Sequence, residues 1–200
     1  MARTGLAVGA AVVVVALLPT VSCSSRAANE APPAGSAPTK VAPSTTATLN
    51  PETSLERRTR LDQEAAVKAY RAALAESDRL FLMGGAEKPS KKLKLFATGR
   101  YLDLVAGGLA EVKANEWHGT APTKVIYAAA QGSGARITHI KACEDVSKAR
   151  LLDKKGRDRT PAGHRRYVQA YTLSKTSDGW KVSDLDSRPV PNFAGYGCEL

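Results

Sequence analysis

Arg166-Tyr167-Val168-Gln169-Ala170-Tyr171-Thr172-Leu173-Ser174, followed by Asp178-Gly179-Trp180-Lys181-Val182-Ser183, is the stretch that decides the fold. Successive side chains of a strand point to opposite faces, so Tyr167, Gln169, Tyr171 and Leu173 share one side and Val168, Ala170 and Thr172 the other. Asp178-Gly179 is a hairpin signal, and Trp180 to Ser187 reads as the returning strand. Upstream, Lys124 to Ala130 and Ala135 to Glu144 carry the same character. The four runs predict a meander of antiparallel strands.

Before Gly119 the period is helical. Pro51 suits a first helical turn, and Thr53 and Glu56 have the spacing of a capping box. Glu56/Arg60 and Glu64/Lys68 are Glu-first pairs four residues apart. Leu61, Val67, Tyr70, Leu74, Leu80 and Phe81 form an apolar stripe that ends at Gly84-Gly85. Ser90 opens a short second helix through Phe96. Thr98 caps a third, whose face is Leu102, Val105, Leu109 and Val112, despite Gly107-Gly108. Helices first and antiparallel strands afterwards predict an α+β domain over residues 51–200, with the helices packed on one face of a curved, cone-like sheet. About 150 residues suit a single core. No internal repeat is visible.

The amino-terminal part reads differently. Residues 1–22 have the order of a signal peptide: Arg3, an apolar run from Leu6 to Leu18, then Pro19-Thr20-Val21-Ser22. A run of roughly 13 apolar residues is short of the ~20 that span a bilayer. Thr20-Val21-Ser22-Cys23 resembles the box cut by lipoprotein signal peptidase, with Thr20 in place of the usual Leu. Cys23 is therefore the expected lipidation site and membrane anchor. The alternative is ordinary cleavage and release. Residues 23–50, mostly Ala, Pro, Ser and Thr, lack the apolar side chains to offset ordering entropy and read as a disordered tether. With the leader removed, 28 basic groups face 19 acidic ones, a formal +9. For an exported chain that balance points first to anionic lipid headgroups and wall polymers. Nucleic acid is the weaker alternative, since the Lys and Arg are dispersed and lack interleaved aromatics.

Ala142-Cys143-Glu144-Asp145-Val146-Ser147, Leu151-Leu152-Asp153-Lys154-Lys155-Gly156, Thr160-Pro161-Ala162-Gly163-His164-Arg165-Arg166, Asp178 to Ser183 and the terminal Gly197-Cys198 resemble a family of small actinomycete secreted proteins and lipoproteins. That resemblance implies the cone fold of the nuclear-transport-factor-2-like superfamily. It implies little about function, because that superfamily hosts isomerases, dehydratases, secretion-channel subunits and binding modules. The fold is shared by extracytoplasmic domains of type IV secretion and conjugation subunits, which implies an assembly role at a membrane channel as one version.

With Cys23 assigned to lipid, Cys143 and Cys198 form an even pair in an oxidising compartment, and a disulfide is the default expectation. The loop it closes would be worth about 4 kcal/mol in the chain-entropy model. Cys143 as a nucleophile lacks a base: His139 shares its strand face but lies ~13 Å away. His118, His139 and His164 share no metal-binding spacing, and no cofactor motif is present. Asp184 and Asp186 share one strand face, read as solvated. Candidate polar groups inside the cone are Tyr70, Tyr101, Tyr127, Tyr171, His139 and Asp145, with Tyr70, Tyr127, His139 and Tyr171 as the pocket set. No Asp or Glu is expected in an apolar strand interior, so a general base is missing. The leading expectation is a non-catalytic, lipid-anchored envelope module that binds proteins or anionic wall polymers. The alternative is a small-molecule isomerase or hydrolase using the cone.

Overall fold

The computed structural model describes residues 52–198; the leader, Cys23 and the tether lie outside the described residues. Helix α1 (Ser54–Leu82) begins where Thr53 accepts from the Glu56 N–H at 3.2 Å and Glu56 accepts from the Thr53 N–H at 2.7 Å, the reciprocal box that the spacing predicts. This draws Glu56 away from Arg60. Arg60 instead donates to Glu52 at 2.9 Å and to Glu64 at 2.8 Å, so the expected Glu56/Arg60 and Glu64/Lys68 pairs give way to this arrangement. The buried stripe also differs from the expected one. It runs Ala66, Ala69, Tyr70, Ala73, Glu76, Ser77 and Leu80, while Leu61 is 53% exposed. Small side chains let the helix lie close to the sheet, so size of apolar residue was a poor guide to the inner face.

Helix α1 stops because Gly85, at φ +76°, returns its N–H to the Leu80 carbonyl at 2.9 Å. Only glycine fits there: a Cβ would stand 2.3 Å from the Leu109 carbonyl oxygen. Helix α2 (Lys91–Phe96) is capped by Ser90, which accepts from Leu93 N–H at 3.0 Å. Helix α3 (Gly99–Ala114) starts after Thr98, whose side chain makes no capping bond; the Thr98 N–H instead donates to Val182 at 2.8 Å.

The strands are β1 (His118–Gly119), β2 (Lys124–Ser133), β3 (Ile137–Asp145), β4 (Leu151–Leu152), β5 (Arg166–Thr176) and β6 (Gly179–Val190). Strands β2, β3, β5 and β6 form the expected antiparallel meander in that order, and β1 and β4 add a two-stranded ribbon that the sequence pattern did not reveal. Register sorts the faces. Ile140, Ala142 and Glu144 stand opposite Tyr171, Gln169 and Tyr167, and this face meets the helices. Cys143, Lys141 and His139 stand opposite Val168, Ala170 and Thr172 on the other. One bulge between Thr172 and Leu173 keeps Leu185 and Val182 inward and Asp184 and Asp186 outward. The core joins Tyr70, Leu93, Tyr101 and Leu109 of the helical layer to Ile140, Leu173, Trp180 and Val182 of the sheet.

Cys143 and Cys198 form the expected disulfide, Cα to Cα 5.8 Å. It fastens the carboxyl-terminal segment over the outer face of β3, which explains why Cys143 is fully buried although it points away from the main core.

Candidate functional site

The inner face carries a polar cluster centred on a residue that the sequence reading left out. Glu144, 4% exposed, accepts from the hydroxyls of Tyr70 and Tyr171 through the same oxygen, both at 2.7 Å, and from the Gln169 amide through the other at 3.3 Å. The expectation that no carboxylate enters an apolar strand interior is thereby corrected. Burial pushes the Glu144 carboxyl above its ordinary range, and the three donors pull against that shift. Burial and the neighbouring carboxylate push the Tyr70 and Tyr171 phenols well above theirs, so both stay protonated and donate. Tyr101, raised to about 12 mainly by burial, packs edge-on against Tyr171 with ring centroids 5.8 Å apart. Tyr70 and Tyr171 are 4.7 Å apart.

A carboxyl bonded to two phenols can hold or pass a proton. Here, however, Glu144, Tyr70, Tyr171 and Tyr101 line none of the cavities described below, and both carboxyl oxygens already have donors. The cluster is a sealed polar core. The buried Gln169 Oε1 has no partner in the orientation shown.

Of the expected pocket set, Tyr70 and Tyr171 come together inside, whereas Tyr127 and His139 do not join them. Tyr127 pairs with Cys143 across the strands and lies on the outer face, because a bulge at Ile126 shifts β2 by one residue. His139 is exposed on that same face, 3.3 Å from the Thr172 hydroxyl. It lines a shallow cavity of about 250 Å³ with Lys141, Asp186 and Arg188. Asp145 sits at the strand end, accepting from the Ser147 N–H and pairing with Arg166 at 3.2 Å. Asp184 pairs with Arg100 at 2.8 Å. Among the described residues no group of three or more His, Cys, Asp or Glu is placed to hold a metal ion.

Open space lies elsewhere, between α1 and β2. One cavity of about 490 Å³ is lined by Leu74, Asp78, Arg79, Thr123 and Val125, and another of about 500 Å³ by Arg60, Val67, Lys68, Ala129 and Ala130; Arg71 lines both. Asp78 holds the upper end by accepting from the Thr123 N–H and hydroxyl, both at 2.9 Å, and burial raises its carboxyl above the ordinary range. Val125 stands opposite Glu144, so the groove runs over the roof of the sealed cluster. Strand β2 has a single partner strand, β3, and its other edge borders this groove. The alanines that floor it carried no signal in the sequence.

No family model matches the chain, and no curated protein does. Solved structures do. The intermembrane-space region of the chloroplast protein ARC6 is 14% identical, with 62% of this chain and 97% of that one covered and a TM-score of 0.41. A protein of the NTF2-like family from Streptomyces avermitilis, whose name suggests a dehydratase, is 16% identical over 66% of this chain and 97% of its own, at 0.42. A domain of unknown function with a cystatin-like fold from Nostoc punctiforme is 12% identical, covering 66% and 79%, at 0.36. At scores this low the likeness carries no argument about activity or partners.

Proposed function

We propose that this chain is a cone-domain lipoprotein of the actinomycete type, held on the outer face of the cell membrane by Cys23 and a tether over residues 23–50, whose domain is a non-catalytic binding module. Its ligand is an extended segment of an envelope protein, laid along the free edge of β2 in the α1–β2 groove. One observation supports this above the others: the carboxylate–phenol cluster of the cone is closed, while an apolar-floored groove beside an unpaired strand edge is open. An edge strand offers unpaired N–H and C=O groups, and an adjoining groove takes alternate side chains of an added strand. Lys68 and Arg71, neither in an ion pair among the described residues, add a preference for acidic segments. Among the described residues no helix is long and apolar enough to cross a membrane.

Anchoring is tested by fractionation: Cys23→Ser should move the protein from membranes to the medium. Binding is tested by a photo-crosslinking amino acid at Ala130, which stands opposite the inward Ile140 and lines the groove, in the full chain in living cells. A discrete protein adduct at Ala130, absent when the same amino acid stands at Ala170 on the outer face, is expected. No adduct, or the same adduct from both positions, would remove the groove from consideration.

A second reading, an isomerase or hydrolase, draws on the Glu144 cluster itself. It requires the roof at Val125 to open. Solvent exchange of the Tyr70 and Tyr171 hydroxyl protons as slow as that of the core amides would sink it.

A further inference from the structure

A second concave site lies at the far end of α3, independent of the groove. The loop between β4 and β5 is Asp153-Lys154-Lys155-Gly156-Arg157-Asp158-Arg159, four cations in seven residues. In solution such a run would splay. Here Asp153, 5% exposed, gathers it. One carboxylate oxygen accepts from the backbone N–H groups of Lys155 at 2.8 Å and Arg157 at 3.0 Å, and the other from the side chains of Arg157 at 2.7 Å and Arg159 at 2.9 Å. Burial pushes the Asp153 carboxyl up, but these N–H groups and guanidiniums outweigh it and hold the group well below the usual range.

The arrangement uses only part of each guanidinium. Arg157 is bound through Nε, leaving both terminal nitrogens free, and Arg159 through Nε and one terminal nitrogen. Arg157, Arg159, Lys154 and Lys155, with Asp153, Asn115 and Trp117, line a cavity of about 330 Å³. Lys154 is paired to Glu116, and Asp158 is turned to Arg150 and the Thr160 N–H, outside the lining. The α3 carbonyls of Val112 and Glu111 are already bonded to the Trp117 and Asn115 N–H groups, so they do not claim the cations. The lining thus keeps a positive excess after every internal pair is counted. Guanidiniums preset by Asp153 match the oxygens of a phosphate ester in a fork geometry that a dispersed basic surface lacks.

We infer that this cavity is a binding site for a phosphate-ester group. The same chemistry is presented by an anionic phospholipid headgroup and by a soluble phosphate ester, and the experiment separates the sources. The exported chain is labelled with ¹⁵N, and its two tryptophan indole signals are followed while glycerol 3-phosphate, or vesicles of phosphatidylglycerol in phosphatidylcholine, are added. Trp117 is at the site and Trp180 is in the core, so a saturable shift confined to Trp117 is expected. A response to both probes means recognition of the phosphate itself, and a response to vesicles alone means a headgroup in the bilayer plane; either supports the site. Lys155→Gln, whose side chain makes no internal bond among the described residues, should weaken binding roughly tenfold, the loss of one charge-assisted contact. Arg71→Gln removes the same charge in the α1–β2 groove and should change nothing. No Trp117 shift with either probe, or equal weakening by the Lys155 and Arg71 substitutions, overturns the proposal, and neither outcome touches the groove.

Discussion

Two glutamates of this domain are almost fully buried and behave in opposite ways. Glu76, 1% exposed, accepts from Arg79 at 2.5 and 2.9 Å and from the Ser90 hydroxyl at 2.8 Å, with Lys92 at 3.3 Å. Led by the Arg79 hydrogen bonds, these partners lower its carboxyl to about 2 despite burial. Glu144 has as many donors, but all are neutral, and its carboxyl is raised. Neither carboxyl is exposed, but Glu76 lies close to the surface and Glu144 deep, so depth and the formal charge of the partners together set the sign. Glu76 gets its cations by lying where α1 meets the start of α2 at the surface, with Arg79 and Lys92 reaching in from solvent. Glu144 lies between α1 and the sheet, where among the described residues no cation side chain pairs with it. The first is an anchored ion; the second is a carboxyl whose affinity for a proton burial raises.

The largest expected effect breaks the Glu144 side of the comparison. Glu144→Ala leaves two phenol hydroxyls and one amide buried without an acceptor, which should cost about 3 kcal/mol, or roughly 10 °C in Tm for a domain this size, in thermal unfolding at neutral pH. Glu144→Gln separates charge from shape. Its carbonyl oxygen can still accept from both tyrosines, and a flipped Gln169 can offer Oε1 to its amide. The raised carboxyl binds its proton more tightly in the folded state than unfolded. Its contribution is therefore full below the ordinary value of 4.5 and is lost as pH rises through the folded value. Denaturant titrations from pH 4 to 8 should show the natural protein losing stability relative to the Gln variant as pH rises. A constant difference between the two would mean that Glu144 titrates normally.

How much of this was legible in the sequence depends on the element. The four long strands followed from period two, and α1 from its capping box and terminal glycines. The two-residue strands β1 and β4 lack the length to show a period. Glu144 was within reach: the inward parity of Ile140 and Ala142 continues to residue 144. Tyr127 was misplaced because a bulge in β2 reverses its facing and leaves no mark in a single sequence, whereas His139 keeps the outward parity of Cys143 on β3. Of the groove, Ala129 and Ala130 read as an unremarkable strand, and only the tertiary approach of α1 makes them part of a concave lining. Residue type told what each position could be, while parity told where it went.

The Glu76 side sharpens the comparison with an effect of opposite pH sign. Its lowered carboxyl contributes stability above the ordinary value of 4.5, and that contribution is lost as pH falls toward 2. Glu76→Gln should cost about 1.5 kcal/mol at pH 7 and almost nothing at pH 2, read by the same denaturant titration.

The smallest test asks which cation holds Glu76. Arg79 grips it through two nitrogens on the next turn of the same helix, a geometry set by the backbone, whereas Lys92 reaches across from α2 with a side chain 64% exposed. An exposed, flexible partner gives up entropy to hold its place and is screened by salt, so Lys92→Ala should cost under about 0.5 kcal/mol, and less again at high ionic strength. Arg79→Ala should cost about 1 to 2 kcal/mol, since a buried carboxylate then keeps only a lysine and a hydroxyl. Equal costs for the two would mean that net positive charge near Glu76 is enough, and that the fork of Arg79 adds nothing. The predicted ratio says that a buried anion is held by fixed geometry first and by nearby charge second.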